Sequence, residues 1–362
     1  MTKVLIVSVG KLSGGVERYT LILGKLLSEN GIEVHYAVRA GAWLDQQLHS
    51  TNKIVVNLGK SMVFDMKRLR DYVDSHRISI VYCNSNNGLF VSQMIKETNG
   101  CKKIGVIHGD VIVDQRHKGF IKSYIYEKLE TWLIKNKCTM CIAVSESMKS
   151  ILVDRGVQES KVDVVYTGIV SKTYNTLPDY YSDVLKVCTV GNLLPVKNQI
   201  VLLKALYLLR EKYPQVKVVC DIYGEGPERE NLESYIVEKG LTNVALKGFD
   251  SDVRNKLNDY QMYIHTSNYE SFGISVVEAM NAGCCVIATE VGGIKEIVKE
   301  KCGFTVNKGN YEAIAEIINE CFSNRDNMKN VALRGTILSK EEFSCEQMVN
   351  GILNIYRKIK ET

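Results

Sequence analysis

The chain has 362 residues, of which 45% are hydrophobic and 24% are charged, and this length favours two domains over one. With 27 glycines and 4 prolines, the composition excludes collagen-like, low-complexity and largely disordered proteins. The net charge of +5 is uneven, because residues 1–170 carry +7 and the remainder carries −2.

The apolar runs of the sequence are short. Residues such as Glu278 and Asn281 interrupt them well before the roughly 18 apolar residues that a membrane-spanning helix needs. The N-terminal apolar run, Val4–Val9, is too short for a secretory signal peptide. The eleven cysteines lie mostly in apolar runs, which is typical of buried thiols in a reducing compartment, so a cytoplasmic location is expected. Cys138 and Cys141 have C-x-x-C spacing, but no second pair completes a zinc site, and we expect buried thiols there.

The first predicted elements are a strand, a glycine loop, a helix and a second strand. Lys3–Val9 is a β-branched apolar run, Gly10–Gly15 interrupts it, and leucines then recur at helical spacing up to Gly31. Ile32–Val38 resumes as a strand. The later strands predicted in this half are Ile78–Cys83, Lys103–Ile107 and Met140–Val144. This alternation is typical of a Rossmann-like domain with a parallel sheet covered by helices.

A basic stretch, Gln115–Lys137, mixes six Lys and Arg side chains with aromatic residues. Two interpretations stay open. It forms either a helix that lies on anionic lipid, at the inner face of the plasma membrane, or an amphipathic core helix whose basic face is solvated. No nucleic-acid partner is expected.

Helical and strand periodicity is lost over residues 169–184, which contain Pro178, so an interdomain linker is predicted there. The elements predicted beyond it are strands at Leu185–Val190, Val216–Tyr223, Val244–Leu246, Met262–His265 and Cys284–Ala288, and a helix at Gln199–Lys212. We therefore expect domains at 1–168 and 185–344, and a last helix over 345–362 whose packing partner the sequence leaves open. Ligands of parallel sheets bind at the carboxyl ends of the strands, so a ligand cleft between the two domains is expected.

The segment Asn268–Gly283 is the most informative. It places Glu270 in a loop and Glu278 in the first turns of a helix, eight positions later. Amides at a helix N-terminus suit a phosphate, and a carboxylate beside them can hold two ribose hydroxyls. Two surface glutamates at a loop–helix junction are the alternative interpretation of this spacing.

Four more motifs accompany this segment in a fixed order: GGVER, GNLLPVKN, GEGPERENLE and CCVIATEVGGIKEIV. Together they resemble the retaining GT-B glycosyltransferases of glycosyltransferase family 4 over nearly the whole chain. The resemblance implies an α/β GT-B fold, in which two Rossmann-like domains face each other across a central cleft. The N-terminal domain would bind the acceptor and the C-terminal domain the nucleotide sugar.

The resemblance also implies a reaction. A sugar would pass from a nucleotide-diphosphate donor, expected to be a UDP-sugar, to a saccharide or glycolipid acceptor in cell-surface polysaccharide or lipopolysaccharide assembly. Retention would follow from attack by the acceptor hydroxyl on the face that the diphosphate leaves. No cofactor and no metal are expected, since the nucleotide sugar is a substrate.

The same resemblance implies roles for the two glutamates and the turn between them. Glu278 matches the family glutamate that binds the ribose, and Glu270 matches the one near the donor sugar and the reacting centre. The backbone turn that contacts sugar and diphosphate matches Phe272, Gly273 and Ile274.

The cationic part of the site departs from the family pattern. Lys197 matches the lysine that neutralises the diphosphate, and its loss should remove charge stabilisation from the transition state. Asn192 stands where the family usually has an arginine. Lys197 would then contribute more, or another base such as Arg18 or Arg254 would contribute.

In the first half, Gly14 and Gly15 match the glycine loop that lets the backbone approach the donor phosphates. A tight turn that caps the next helix is the structural alternative. His108 matches a position where the family often has a histidine that hydrogen-bonds the transferred sugar. The resemblance places the base of the nucleotide near Gly224, Gly248 and Phe249.

Asp250-Ser251-Asp252 has the D-x-D form of a cation site, but it precedes a helical pattern, and we expect helix capping instead. The departure at Asn192 leaves two other functions open. One is a non-catalytic nucleotide-sugar-binding subunit, and the other is a UDP-sugar epimerase or hydrolase of the same fold.

Overall fold

The computed structural model describes residues 2–11, 14–49, 52–57, 62–95, 100–114, 119–172, 174 and 176–361. The chain divides into two compact units. Unit 1 comprises Met1–Gly168 and Cys345–Thr362, and unit 2 comprises Ile169–Ser344. Residues 115–118, which begin the basic stretch, lie outside the described residues.

Unit 1 is built on a parallel sheet of seven strands in the order β3-β2-β1-β4-β5-β6-β7. The strands are β1 (Lys3–Ser8), β2 (Glu33–Arg39), β3 (Lys53–Val56), β4 (Ile80–Asn84), β5 (Lys102–Ile107), β6 (Met140–Ala143) and β7 (Val162–Val164). The helices are α1 (Gly15–Glu29), α2 (Trp43–Gln47), α3 (Met62–His76), α4 (Asn86–Val91), α5 (Val111–Asp114), α6 (Phe120–Lys137) and α7 (Glu146–Asp154). The central strands are buried on both faces, as their continuous apolar runs predict.

Unit 2 repeats this architecture with six parallel strands in the order β10-β9-β8-β11-β12-β13. The strands are β8 (Leu185–Val190), β9 (Val218–Tyr223), β10 (Val244–Gly248), β11 (Met262–His265), β12 (Cys285–Thr289) and β13 (Phe304–Val306). The helices are α8 (Ile200–Lys212), α9 (Arg229–Glu238), α10 (Val253–Lys256), α11 (Ile274–Asn281), α12 (Ile294–Ile297), α13 (Tyr311–Ser323) and α14 (Arg325–Glu342). The two parallel Rossmann-like sheets predicted from the sequence are confirmed.

The last helix, α15 (Cys345–Glu361), belongs to unit 1. Its apolar face joins the cluster beneath α1, where Met348 and Ile352 are buried together with Leu23 and Leu27. The packing partner that the sequence leaves open is therefore the N-terminal sheet and its first helix.

The segment at 169–184 has no helix or extended strand among its described residues. It nevertheless packs onto unit 2. Ile169 forms an isolated bridge with Ser344, and the buried Tyr180 donates from its hydroxyl to the Gly283 carbonyl at 2.6 Å. The described residues of the predicted linker therefore form part of unit 2, which begins at Ile169.

All eleven cysteines are free thiols, and ten of them are buried. Cys138 and Cys141 both lie in the core of unit 1. Among the described helices, none combines the length and the hydropathy needed to cross a bilayer.

Candidate active site

The strand order of unit 2 fixes where a ligand can bind. From the central strand β8 the chain runs to one side through β9 and β10 and then returns to the other side at β11. The loops after β8 and β11 therefore diverge at the carboxyl edge, and such a switch point is where open parallel sheets bind ligands. These two loops carry Asn192, Lys197 and Glu270.

Glu270 is the centre of a charged cluster at this point. Its Oε2 accepts from Lys197 Nζ at 2.5 Å and lies 3.2 Å from His265 Nε2. Burial alone would raise the pKa of Glu270, but the Lys197 ammonium and the His265 ring outweigh it and lower the pKa to about 2. Glu270 is a carboxylate at every physiological pH, and its Oε1 is the oxygen left to accept from a ligand hydroxyl.

Backbone contacts lock the two loops together. The Asn268 N–H donates to the Val196 carbonyl at 2.7 Å, and Thr266 Oγ1 donates to the Lys197 carbonyl at 3.1 Å. Asn198, at φ +50°, donates from its side chain to the Asn268 side chain at 3.2 Å. Lys197 and Glu270 are thus held in place through main-chain atoms as well as through their own ion pair.

A glycine pair behind the loop shapes the turn after Glu270. The Gly293 N–H donates to the Glu270 carbonyl at 3.1 Å. A Cβ on Gly292, at φ +48°, would lie only 1.9 Å from that same carbonyl oxygen. Gly273, at φ +112°, then starts α11 with no side-chain cap. The N-terminus of α11 therefore opens at the carboxyl edge, as predicted for Phe272–Ile274.

Glu278 lies in the second turn of α11 and is largely buried. It forms an ion pair with Arg254 of α10. The Arg254 carbonyl in turn accepts from Tyr174 Oη at 3.0 Å. Arg254 is one of the cations expected to compensate for the arginine missing at Asn192. The structure brings it into contact with a predicted site residue, Glu278.

The loops after β8, β9 and β10 touch one another at the same edge. A Cβ on Gly224, at φ +138°, would lie 2.0 Å from the Gly191 carbonyl oxygen, next to Asn192. The Gly224 N–H donates to the Gly248 carbonyl at 2.8 Å. Phe249 follows with 68% of its surface exposed. The predicted base-binding residues thus lie beside Asn192, whose own side chain is exposed.

His108 follows β5 in unit 1 and packs edge-on against Tyr19. Asn84 Nδ2 donates to Thr20 Oγ1 at 2.6 Å, which turns Asn84 Oδ1 toward His108 Nε2, 2.6 Å away. Burial lowers the pKa of His108 to about 4, so the ring is neutral at physiological pH. Since Nε2 carries the proton that Asn84 accepts, Nδ1 is the nitrogen with a lone pair.

The glycine loop before α1 lies against a carboxylate. Glu17 is buried, and a Cβ on Gly10 would overlap its Oε1. Burial raises the pKa of Glu17, while the amides of Glu17 and Gly14 hydrogen-bond the carboxylate and act in the opposite direction. Gly14 is the N-cap residue of α1, and the helix starts at Gly15. These two glycines therefore form the turn before the helix, which was the structural alternative for them.

Asp250 of the D-x-D segment has protein partners. Its Oδ1 accepts from the Asp252 N–H at 2.8 Å, and its Oδ2 pairs with Lys256 at 2.6 Å. Asp252 is the N-cap residue of α10 but makes no side-chain capping bond. The side-chain capping expected for α10 is therefore wrong, and Asp250 instead closes a local turn with the Asp252 N–H.

Sequence reasoning missed three partners of the site: His265, Asn84 and Glu17. A signal was present for His265, which ends the strand beside the switch point. Asn84 ends β4 in the same way, at the corresponding edge of unit 1. A polar residue at the carboxyl end of a central buried strand is a general marker of this kind.

Two family models match the chain. One, described as Glycosyltransferase Family 4, matches residues 13–172, and the other, described as Glycosyl transferases group 1, matches residues 179–336. The solved structure of Anabaena Alr3699/HepE in complex with UDP-glucose has a TM-score of 0.84, with 21% identity over 99% of this chain and 100% of that one. At this identity the likeness shows the fold.

Two curated relatives are also similar. Poly(ribitol-phosphate) alpha-N-acetylglucosaminyltransferase of Staphylococcus aureus (strain COL) is 24% identical over 305 residues, covering 83% of this chain and 59% of that protein. A phosphatidylinositol N-acetylglucosaminyltransferase component of Homo sapiens is 26% identical over 304 residues, covering 79% of this chain and 61% of that protein. The chain spans about three fifths of the length of these relatives.

Proposed function

The chain belongs to the GT-B glycosyltransferases, with a family 4 domain followed by a group 1 domain, and from this premise we propose that it is a retaining, UDP-sugar-dependent enzyme. The acceptor is a saccharide or a glycolipid of cell-surface polysaccharide or lipopolysaccharide assembly. The names of the similar proteins support this proposal, since one is an N-acetylglucosaminyltransferase acting on poly(ribitol-phosphate) and another was solved with UDP-glucose.

The observation that carries the proposal is the Glu270–Lys197–His265 cluster at the switch point of unit 2. Hexose recognition needs a fixed acceptor oxygen for sugar hydroxyls, and Glu270 Oε1 provides one. Departure of a nucleoside diphosphate needs a cation, and Lys197 is held on the other oxygen of the same carboxylate, Oε2.

In the proposed reaction the acceptor hydroxyl attacks the anomeric carbon on the face that the diphosphate leaves. The glycosidic bond to the phosphate oxygen breaks, the bond to the acceptor oxygen forms, and the proton passes to the leaving phosphate. Glu270 cannot supply a proton, because its pKa is about 2. Lys197 stabilises the charge that develops, and the protein otherwise contributes positioning.

The remaining site residues receive binding roles. We assign the ribose hydroxyls to Glu278, whose carboxylate Arg254 orients. The diphosphate is assigned to the turn at Phe272–Ile274, and the base to Gly224, Gly248 and Phe249. In unit 1, His108 Nδ1 would accept a hydrogen bond from a hydroxyl of the transferred sugar, and Gly14 and Gly15 would admit the donor.

Metal independence is part of the proposal. Asp250 of the D-x-D segment is engaged by Lys256 and by a backbone amide. Nowhere in the described part of the chain do three or more His, Cys, Asp or Glu side chains come together as a ligand set. Lys197 and the α11 N-terminus would supply the positive charge that a cation supplies in other transferases.

The test is a panel of UDP- and GDP-sugars offered to the purified protein, with donor hydrolysis and transfer to acceptor extracts as readouts. We expect a UDP-sugar to turn over, and Glu270→Ala to lower the rate by about 100-fold or more. Glu270→Gln keeps the shape and removes the charge, and Glu320→Ala, an exposed glutamate of α13, is the matched control. No binding or turnover of any donor would refute the proposal, and full activity of Glu270→Ala would remove that residue from the site.

Asn192 favours a second candidate, a non-catalytic nucleotide-sugar-binding subunit. Its exposed side chain stands where the family usually carries an arginine. Calorimetric UDP binding without turnover of any donor would select that function. Product analysis in the absence of acceptor would identify an epimerase or a hydrolase.

We place the protein in the cytoplasm, with peripheral contact between unit 1 and the inner face of the plasma membrane through 115–137. The eleven free thiols are consistent with a reducing compartment.

A further inference from the structure

Helix α6 differs from an ordinary surface helix in which side chains it buries and which it exposes. Its two acidic residues, Glu127 and Glu130, face the core of unit 1. The buried side chains of the helix are Ser123, Glu127, Glu130, Thr131, Leu133 and Ile134. A surface helix normally buries its apolar stripe and exposes its charges, so this arrangement needs a cause on each face.

The cause on the inner face is Arg155, at the C-terminus of α7. Its guanidinium lies 3.7 Å from Glu127 and 3.4 Å from Glu130, and it pairs with Asp110 at 2.5 Å. All four side chains are largely buried. One arginine thus draws the acidic residues of α6 inward and removes their charge from the surface.

The outer, solvent-exposed face of α6 carries apolar and basic side chains. Ile121, Tyr124, Ile125 and Trp132 recur at spacings of three, one and seven residues, which places them on one side of the helix. They are 75%, 50%, 58% and 48% exposed. The exposed large apolar residues of α6 also include Tyr126.

Four lysines frame these side chains, and no acidic residue of α6 accompanies them outward. The Lys128 ammonium lies 4.9 Å from the centre of the Tyr124 ring, and that of Lys137 lies 5.5 Å from the centre of the Trp132 ring. Lys128 also reaches the buried Glu127 at 3.5 Å. The other two lysines are Lys122 and Lys135. The partner of this face must therefore be anionic and offer an apolar layer.

The topology sets the direction of this face. Helices in a parallel sheet begin at its carboxyl edge, so the first turns of α6, with Ile121 and Ile125, lie at the edge that carries His108. The first turn of α3 places Val63 and Phe64, also exposed, at that edge. Exposed apolar residues thus gather on the side of unit 1 where an acceptor is proposed to enter.

We propose that the outer face of α6 docks unit 1 onto an anionic lipid bilayer, with the isoleucines and aromatic rings at the headgroup boundary and the lysines on lipid phosphates. Two copies of the chain do not pair through this face, since two such helices would bring eight lysines together without an acid. This inference deepens the membrane contact included in the proposed function. It rests on that function only in its choice of acceptor, which would be held in the same membrane.

The test is co-flotation of the full chain with vesicles, in the absence of any donor. We expect binding to phosphatidylcholine mixed with phosphatidylglycerol, little binding to phosphatidylcholine alone, and weaker binding as salt is added. Lys122→Glu with Lys128→Glu should lower the affinity about 30-fold or more, from the roughly fivefold contribution of each lysine. Ile121→Ser with Ile125→Ser should lower it about tenfold.

Lys204→Glu with Lys340→Glu changes two exposed lysines of α8 and α14 and should bind as the parent does. Circular dichroism verifies that each variant is folded, and the serine pair tests the face without touching Lys128 or its contact with Glu127. Absence of vesicle binding by the parent, or unchanged binding by both α6 variants, would overturn the proposal. A dimer of the parent that the serine pair abolishes would overturn it too. Donor turnover is measured separately, so a failure here leaves the enzymatic proposal standing.

Discussion

The contacts of Glu270 with Lys197 and His265 keep its carboxylate charged and fix the direction of its Oε2. Both partners lower the pKa of Glu270 against its burial, and both contact the same carboxylate oxygen, Oε2. Ser267 Oγ lies 3.1 Å from the same ring nitrogen, Nε2, so this nitrogen contacts both the Ser267 hydroxyl and the Glu270 carboxylate. We therefore regard His265 as a positioning residue for Glu270.

Replacement of His265 by leucine should leave Glu270 ionised through Lys197 but loosely oriented. We expect kcat for the proposed transfer to fall about tenfold, the value of one misplaced hydrogen bond, with little change in KM. Steady-state kinetics on the donor identified in the panel measures both constants. His265→Gln retains a donor and should recover part of kcat. Equal loss in both variants, or a loss confined to KM, would contradict the positioning role.

At the scale of elements, the turn at 270–273 depends on the glycines that follow β12. Gly292 and Gly293 bring a second loop against the Glu270 carbonyl, closer than any side chain permits. The loop that carries Glu270 is thus supported by the neighbouring loop after β12, and glycine is the residue that allows such an approach.

Gly292→Ala tests this support. The added Cβ would meet the Glu270 carbonyl oxygen, so the loop must shift, and donor turnover should fall at least tenfold. Gly309→Ala is the matched control, because Gly309 has φ +74° and open space around the added carbon. It carries only the cost of a left-handed alanine, about 1 kcal/mol, and should keep full turnover. Thermal melting and donor hydrolysis distinguish the two, and similar activity in both variants would rule out the support.

The elements also show what the sequence can predict. Central strands such as β8 and β11 were found at their true limits, because they are apolar runs bounded by loops. The strands β3, β7 and β13 were missed. They are edge strands of three or four residues, half covered, and so lack the continuous apolar run that identifies a buried strand.

At the scale of the whole molecule, the sequence yields the two-sheet architecture and most of the candidate site, but not all of its contacts. Glu270 and Lys197 were found through motifs that are local in sequence. Their contact joins two loops, and the ion pair of Glu278 with Arg254 joins two helices, so neither can be derived from spacing. The inward turn of Glu127 and Glu130 is likewise set by Arg155, which belongs to another helix.

Helix α15 makes a prediction at this scale, because it completes unit 1 from the other end of the chain. Ile352 is fully buried against α1 and the sheet of that unit. Ile352→Ala should destabilise unit 1 by about 2–4 kcal/mol through the cavity it leaves. Hydrogen exchange should show faster exchange across β1 and α1 and no change in β8 and β11. Loss of protection in unit 2 alone would contradict this assignment.

The division of unit 1 between the two ends of the chain has a consequence for biosynthesis. The apolar face of α1, with Leu23 and Leu27, is synthesised early. The helix that buries it, α15, begins only at Cys345. At the usual speed of translation, roughly ten to thirty-five seconds pass while Ile169–Ser344 emerges. Unit 2 is contiguous and can fold during that interval. Unit 1 therefore stays incomplete until after unit 2 has been synthesised, and a chaperone would have to protect the exposed apolar surface of α1 during that interval.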